Sequence, residues 1–297
     1  MSDLSGGGAV DHRHVVAEYI RLERREVPPP PGVEGPSAIA GRAPVDAHLR
    51  NAAGGLRTGA LLTGIDSLGG LLCGLAVQPE WIVTTSMMVT VAHLAHTGPL
   101  GLLGRIVRRG RTSVVASLDV VDEGRDRGPV ASATVTCAVL DPGDMRLHFD
   151  RPLVIPMGPP AADPLGPEEF FAIAPGTGPV TRLDLVDRLR NPWGILHGGA
   201  VAVLADVAAC RAVDATRGRP RPPVAAADTV LHYLRPARVG PVEARCTVLG
   251  GGSGRTLVRV AVHDVGADQR LVALGSVVVA DIRPPAAVDK SRLIRLT

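Results

Sequence analysis

Asn191-Pro192-Trp193-Gly194-Ile195-Leu196-His197-Gly198-Gly199 leads into an apolar run in which Asp206 stands nine residues after the histidine. The turn residues followed by sustained apolar character read as a helix entrance, with the helix running from Gly198 to about Ala215. A weaker copy lies about 140 residues earlier: Asn51-Ala52-Ala53-Gly54-Gly55-Leu56-Arg57-Thr58-Gly59, with Asp66 nine residues after Arg57. Two copies of one entrance indicate an internal duplication. The residues that each copy keeps or loses then point to where chemistry sits.

Working outward, the first unit spans 43–141. It reads as a short strand ending near Leu49, the glycine-rich entrance, a helix to about Val77, and strands near 81–95, 100–109, 111–121 and 129–140. The second unit, 180–283, repeats the order: a strand from Val180 to Arg188, the entrance, the helix, and strands near 224–234, 239–249, 255–264 and 270–281. Thr90-Val91-Ala92-His93 aligns with Thr229-Val230-Leu231-His232, Arg111-Thr112 with Arg255-Thr256, and Val130–Val135 with Val272–Val277. Between the units, 142–179 is rich in Pro and Gly and reads as a connector with a short helix near Glu168–Ala172. Residues 1–42 are expected to form an amphipathic helix over 11–26, with Val15, Val16, Tyr19, Ile20 and Leu22 on one stripe, then a linker stiffened by Pro28–Pro31. Residues 284–297 form a tail.

A chain of 297 residues with 45% hydrophobic content can bury a large core, and its two Trp, two Tyr and three Phe leave that core to Ala, Val, Leu and Ile. A formal net charge of +3, with no basic stripe interleaved with aromatics, argues against nucleic acid. The four cysteines, Cys73, Cys137, Cys210 and Cys246, are scattered without metal-ligand spacing, so neither a metal nor a disulfide scaffold is indicated. The start of the chain lacks the apolar core of a signal peptide, and a cytoplasmic location is expected. The apolar runs 60–77 and 195–212 approach membrane-spanning length, but each carries an aspartate, and buried helices explain them better.

One apolar helix followed by antiparallel strands, with Asn191, Gly194, His197-Gly198-Gly199 and Asp206 at its entrance and within it, resembles the hotdog fold. Within that fold it is similar to the PaaI-like acyl-CoA thioesterases, and the resemblance covers nearly all of 43–283. It implies an α+β tandem, or double, hotdog, two antiparallel sheets each wrapped around a central helix, that builds within one chain the side-by-side dimer of single hotdog domains. Such units commonly associate further, so a homodimer of these chains is expected.

Helix geometry supports pairing the halves. Nine residues of helix climb about 13 Å and turn through roughly 900°, which puts His197 and Asp206 on opposite sides of one helix. If the two helices lie antiparallel, the entrance of one faces the aspartate of the other. Site one then joins Asn191, His197 and Gly198 to Asp66, and site two joins Asn51, Arg57 and Thr58 to Asp206. Thioester hydrolysis develops an oxyanion, and a helix N-terminus supplies N–H donors and the positive end of a dipole. Gly198 N–H is the expected donor, with Gly199 allowing close approach, Asp66 as general base or nucleophile, and Asn191 and His197 holding the water or the thioester oxygen. Site two has Arg57-Thr58 in place of His-Gly and is expected to be weakened or silent.

Related enzymes add a Ser or Thr beside the aspartate. Next to Asp66 the candidates are Thr85 and Ser86, whereas Ala226 occupies the place beside Asp206. The basic run Arg105, Arg108, Arg109 and Arg111, the Gly250–Arg255 turn, and Arg217, Arg219 and Arg221 could meet phosphate but read better as solvated hairpins and loops. No cofactor is expected, coenzyme A entering as part of the substrate. Two other readings stay open: a non-catalytic acyl-CoA-binding or regulatory hotdog, and an enoyl-CoA hydratase type. Against the latter, His197 lies too far from Asn191-Pro192. With few aromatics on the predicted helices, the acyl pocket is expected to be aliphatic or small.

Overall fold

The computed structural model describes residues 15–31, 35–141, 143, 152–217 and 222–282. Helix α1 (Val15–Tyr19) and strand β1 (Glu23–Val27) come first. The first unit follows with β2 (Ala38–Ala43), a 3-10 turn at Ala47–Leu49, α2 (Thr58–Val77), β3 (Trp81–Val91), β4 (Leu100–Arg109), β5 (Ser113–Asp122) and β6 (Gly128–Leu140). Strand β7 (Val154–Ile155) and helix α3 (Pro167–Phe170) lie between the units. The second unit is β8 (Val180–Leu183), a 3-10 turn at Asp187–Leu189, α4 (Gly198–Thr216), β9 (Val224–Tyr233), β10 (Val242–Gly252), β11 (Arg255–Asp264) and β12 (Arg270–Asp281).

These strands form one antiparallel sheet in the order β7-β1-β2-β4-β5-β6-β3-β9-β12-β11-β10-β8, joined across the units by β3 and β9. Strand formation follows the period of 2: Val114, Ala116, Leu118 and Val120 of β5, and Val258, Val260 and Val262 of β11, all point inward and are buried. The sheet wraps the two helices, and α2 packs along α4. A Cβ added at Gly59 would touch Asp206 and Val203, and one added at Gly199 would touch Thr63 and Asp66, so the helices run antiparallel with glycines at their closest approach. This is a double hotdog. Helix α2 is long and apolar enough to cross a membrane, yet 89% of its most apolar window is buried inside the protein.

The N-terminal helix is shorter than its apolar stripe suggested. It ends at Tyr19, Arg21 turns the chain with φ +54, and Leu22, Arg24 and Glu26 are then buried alternately as β1 joins the sheet. Arg21 is held in that conformation by Asp46 at 2.9 Å and by the carbonyl of Gly158 at 2.9 Å. The strands expected to end near Leu49 and Arg188 stop at Ala43 and Leu183, each followed by the 3-10 turn. Residues 11–14 of the expected helix, parts of the connector, and the C-terminal tail lie outside the described residues.

The repeat also has a register that the local matches missed. Asp66 and Asp206 differ by 140 in number, but Asp122 and Asp264 differ by 142, because the connection from α4 to β9 is longer than that from α2 to β3. Bulges at Thr84/Ser86 and at Ala226/Asp228 coincide in this register. The β3–β9 pairing is symmetric about Met88 opposite Val230. The match of Thr90–His93 to Thr229–His232 is therefore displaced by three residues. The firmest repeated feature lies outside those matches: the Asp122 carboxylate accepts the N–H groups of His96, Thr97 and Gly98 at 3.0, 3.0 and 2.7 Å. Asp264 does the same for Arg238, Val239 and Gly240 at 2.8, 3.0 and 2.8 Å.

Candidate active site

The entrance to α4 is shaped by Asn191. Its Oδ1 accepts the N–H groups of Trp193 and Ile195 at 3.0 and 3.3 Å, closing a turn in which Gly194 takes φ +67, a value that favours glycine. Asn51 builds the same turn with Ala53 and Gly55 at 2.9 and 3.2 Å, around Gly54 at φ +79. The Asn191 side-chain oxygen is thus committed to the turn, so a water or thioester oxygen can be held there only through the amide N–H groups. Only its amide N–H donors remain for the cavity it lines.

The next residue of consequence, His197, caps the helix. Its Nδ1 accepts the Gly199 N–H at 3.0 Å, satisfying one of the donors that a helix start leaves over. Burial holds the imidazole below its usual range, partly offset by the Asp66 carboxylate beside it, so the ring is neutral at pH 7. Nδ1 also lies 3.2 Å from Asp66 Oδ2. A neutral ring whose Nδ1 is accepting from Gly199 cannot at the same time donate to Asp66, so this contact is not an ion pair. Gly199, expected to touch substrate, instead serves the cap and the helix contact: a Cβ there would lie 3.2 Å from His197 Nδ1 and 3.3 Å from Thr63 Cα.

The second entrance resolves the same problem in the opposite way. Arg57, at the position of His197, makes no side-chain cap, and the Gly59 N–H is taken by Asp206 Oδ2 at 2.9 Å. Asp206 is therefore consumed as the cap of α2, whereas His197 spares Asp66 that duty on α4. Thr58 ties its hydroxyl to the Ala226 carbonyl at 2.9 Å, Arg57 pairs with Glu168 at 2.9 Å, and the Cys210 thiol faces Asp206 Oδ1 at 3.9 Å. Both crossed pairings expected from helix geometry are present, but their chemistry differs.

Asp66 is oriented by Thr84, whose Oγ1 donates to Oδ1 at 3.1 Å. The hydroxyl beside the aspartate is thus neither Thr85 nor Ser86. Thr85 is the bulged residue and turns its hydroxyl to the Thr136 carbonyl at 3.1 Å, while Ser86 lies in the ladder opposite Thr136 and His232. Thr84 corresponds to Ala226 in the other unit. Tyr233, which no motif singled out, donates its hydroxyl to the Gly198 carbonyl at 3.1 Å and fixes the first peptide of α4.

Asp66, Thr84, His197, Gly198 and Tyr233 converge on one cavity of about 440 Å³ between the units. Gly198 N–H, at the first position of α4, has no intrahelical acceptor and stands at the cavity wall. Few aromatics were expected around the substrate, yet both tryptophans line this cavity, Trp81 and Trp193 meeting edge to face with ring centroids 5.1 Å apart. The exposed Arg235 and Arg238 are at its rim, rather than the hairpin arginines of β4 and β5 or the Gly250–Arg255 turn. Arg217 is engaged by Asp281 and Thr256, while Arg219 and Arg221 lie outside the described residues. Among the described residues, no three His, Cys, Asp or Glu side chains are grouped to hold a metal.

Two consequences can be measured. A Cβ at Gly198 would lie 2.9 Å from both Asp66 oxygens, so Gly198→Ala must push the carboxylate aside. A displaced general base forfeits roughly 10²- to 10⁴-fold, and steady-state kinetics on Gly198→Ala, which keeps the backbone N–H donor, should show a fall of that order in turnover, with a far-ultraviolet spectrum unchanged.

Asp206 behaves differently. Burial pushes its carboxyl up to about 6, against the Gly59 N–H and Arg57, which pull it down. Because the folded value is raised, its stabilising contribution is complete below the unfolded value near ~4 and is lost as pH rises through about 6. Asp206→Asn lacks this dependence, so its stability relative to wild type should rise by about 2–3 kcal/mol between pH 4 and pH 7. A difference that stays flat across that window would show that Asp206 does not titrate there.

Comparison with known proteins agrees with this fold. Residues 194–270, in the second unit, match the thioesterase superfamily model. Three solved structures share the fold across both units. The tesB protein of Mycobacterium avium subs paratuberculosis has 12% identity and a TM-score of 0.57, covering 82% of this chain and 93% of its own. A 12:0-ACP thioesterase from Umbellularia californica has 10% identity and a TM-score of 0.55, covering 82% and 94%. An acyl-ACP thioesterase from Bacteroides thetaiotaomicron has 13% identity and a TM-score of 0.52, covering 82% and 97%. At these identities the structures speak for the fold, and the superfamily match supports thioester hydrolysis in general.

Proposed function

We propose that this chain is an acyl-CoA hydrolase with one working site, formed by Asp66 and Thr84 of the first unit and by Asn191, His197, Gly198 and Tyr233 of the second. The exchange of caps carries the reading. His197 satisfies the α4 entrance, so the Asp66 carboxylate faces the cavity, while Asp206 is spent on the α2 entrance.

In this reading the thioester carbonyl lies against Gly198 N–H and the positive end of the α4 dipole. Asp66, held by Thr84, takes a proton from water as the water oxygen bonds to the carbonyl carbon. When the tetrahedral intermediate collapses, the C–S bond breaks and the proton passes to the leaving thiolate, releasing acid and free thiol. Arg235 and Arg238 would meet the phosphates of the carrier at the rim. Cysteines that are all free among the described residues suit a reducing cytoplasm.

The test is thiol release from a panel of acyl-CoAs and, because fold neighbours include acyl-ACP thioesterases, from the same acyl groups on acyl carrier protein. Faster turnover on the protein carrier would move the assignment from CoA to acyl carrier protein. Acyl-CoA binding without thiol release from either carrier would replace the hydrolase with a binding protein.

A further inference from the structure

Asp66, Gly70 and Gly74 stand at i, i+4 and i+8 on one face of α2, and all three line the cavity. Each step climbs the helix by about 6 Å, so the cavity continues from the catalytic carboxylate along a stripe bare of side chains for about 12 Å. Trp81, Ile82, Leu71 and Trp193 wall it. Glycine is the poorest interior helix residue after proline, and its use at two positions one turn apart needs a reason. Crowding is not that reason: a Cβ at Gly70 or Gly74 would meet nothing closer than Ile82, at 3.9 and 3.8 Å. The protein itself leaves ordinary room there. The corresponding residues of α4 are Cys210 and Asp214, which put side chains on the face that α2 keeps bare.

Resting on the hydrolase reading, we infer that Gly70 and Gly74 are the acyl-length determinants. The stripe they leave open receives the acyl chain, alongside the wall where the two tryptophans meet, and its length sets the longest apolar acyl group accepted. The rim with Arg235 and Arg238 is left to the carrier. The stripe is a ruler with two graduations, Gly70 nearer the reacting carbon and Gly74 farther from it.

The order of the graduations is the test. Gly70→Leu and Gly74→Leu are assayed for kcat/KM across straight-chain acyl-CoAs from acetyl upward, with Gly70→Ala and Gly74→Ala as folding controls whose Tm should be no lower than wild type. Misfit of one methylene in an apolar pocket is worth roughly 10- to 200-fold. Gly74→Leu should lose that much or more on the longest acyl groups and change the shortest by less than about threefold, and Gly70→Leu should move the cut-off to still shorter groups. Equal losses at every length, or the reverse order of cut-offs, would overturn the inference while leaving hydrolysis intact. Binding of non-hydrolysable acyl-CoA thioethers is measured in parallel. If wild type binds them without hydrolysing the thioesters and the cut-offs still move in this order, the ruler stands and the hydrolase reading falls. If wild type neither binds nor hydrolyses, both fall.

Discussion

Asp66→Asn should lower thiol release by about 10³-fold or more, while Asp206→Asn leaves it within a few-fold. The two substitutions are chemically identical and sit at equivalent positions of a repeat, so the contrast isolates the environment. At position 66 the amide keeps the shape of the carboxylate and can still accept from Thr84 Oγ1, now 3.1 Å from Oδ1, so packing and Tm should hardly change. What is lost is the capacity to take a proton from water. At position 206 the amide oxygen can go on accepting the Gly59 N–H, which is the task observed there. Activity lost on Asp206→Asn and retained on Asp66→Asn would reverse the assignment of the two sites.

Asp264→Ala should destabilise the fold by about 3 kcal/mol. One carboxylate satisfies three successive backbone N–H groups ahead of β10, and its removal leaves donors that cost about 1–3 kcal/mol each where water cannot replace it. Arg238 and Val239 are exposed, so part of that cost is recovered by solvent, which sets the figure below the sum. Asp122→Ala should do the same ahead of β4. The loops belong to opposite halves of the sheet and should act nearly additively, so the double variant loses about 6 kcal/mol of a typical total of about 5–15. Urea unfolding reads this as a lower midpoint at unchanged slope. A midpoint that does not move for either single variant would show that the three N–H groups find equal partners in water.

The pH dependence carries a further signature. Burial alone would raise both carboxyls, but the backbone N–H donors, joined by Gly124 at Asp122 and by the Arg270 charge at Asp264, outweigh it and hold both below the usual range. Their contribution is present above the unfolded value and lost as pH falls through the folded one, opposite in sign to that of Asp206.

Features that depend on neighbours along the chain are legible in the sequence. The two entrances, the spans of α2 and α4, most strand positions and the duplication follow from turn residues, apolar period and glycine placement over a few residues. Helix pitch then carried Asp66 across to His197 and Gly198, since nine residues of α-helix have only one geometry. Features that depend on register between distant segments emerge only in the folded molecule. Thr84 rather than Thr85 or Ser86 reaches Asp66 because a bulge at Thr85 opposite β6 rotates the strand locally. His197 is a cap, Asp206 is another, Tyr233 anchors the helix start, and Gly70 and Gly74 open a cavity only because Trp81 and Trp193 close on it from two units. The His197 cap is local to 197–199, but the others depend on contacts across the fold, whose energy depends on ångström-scale placement that no spacing along the chain encodes.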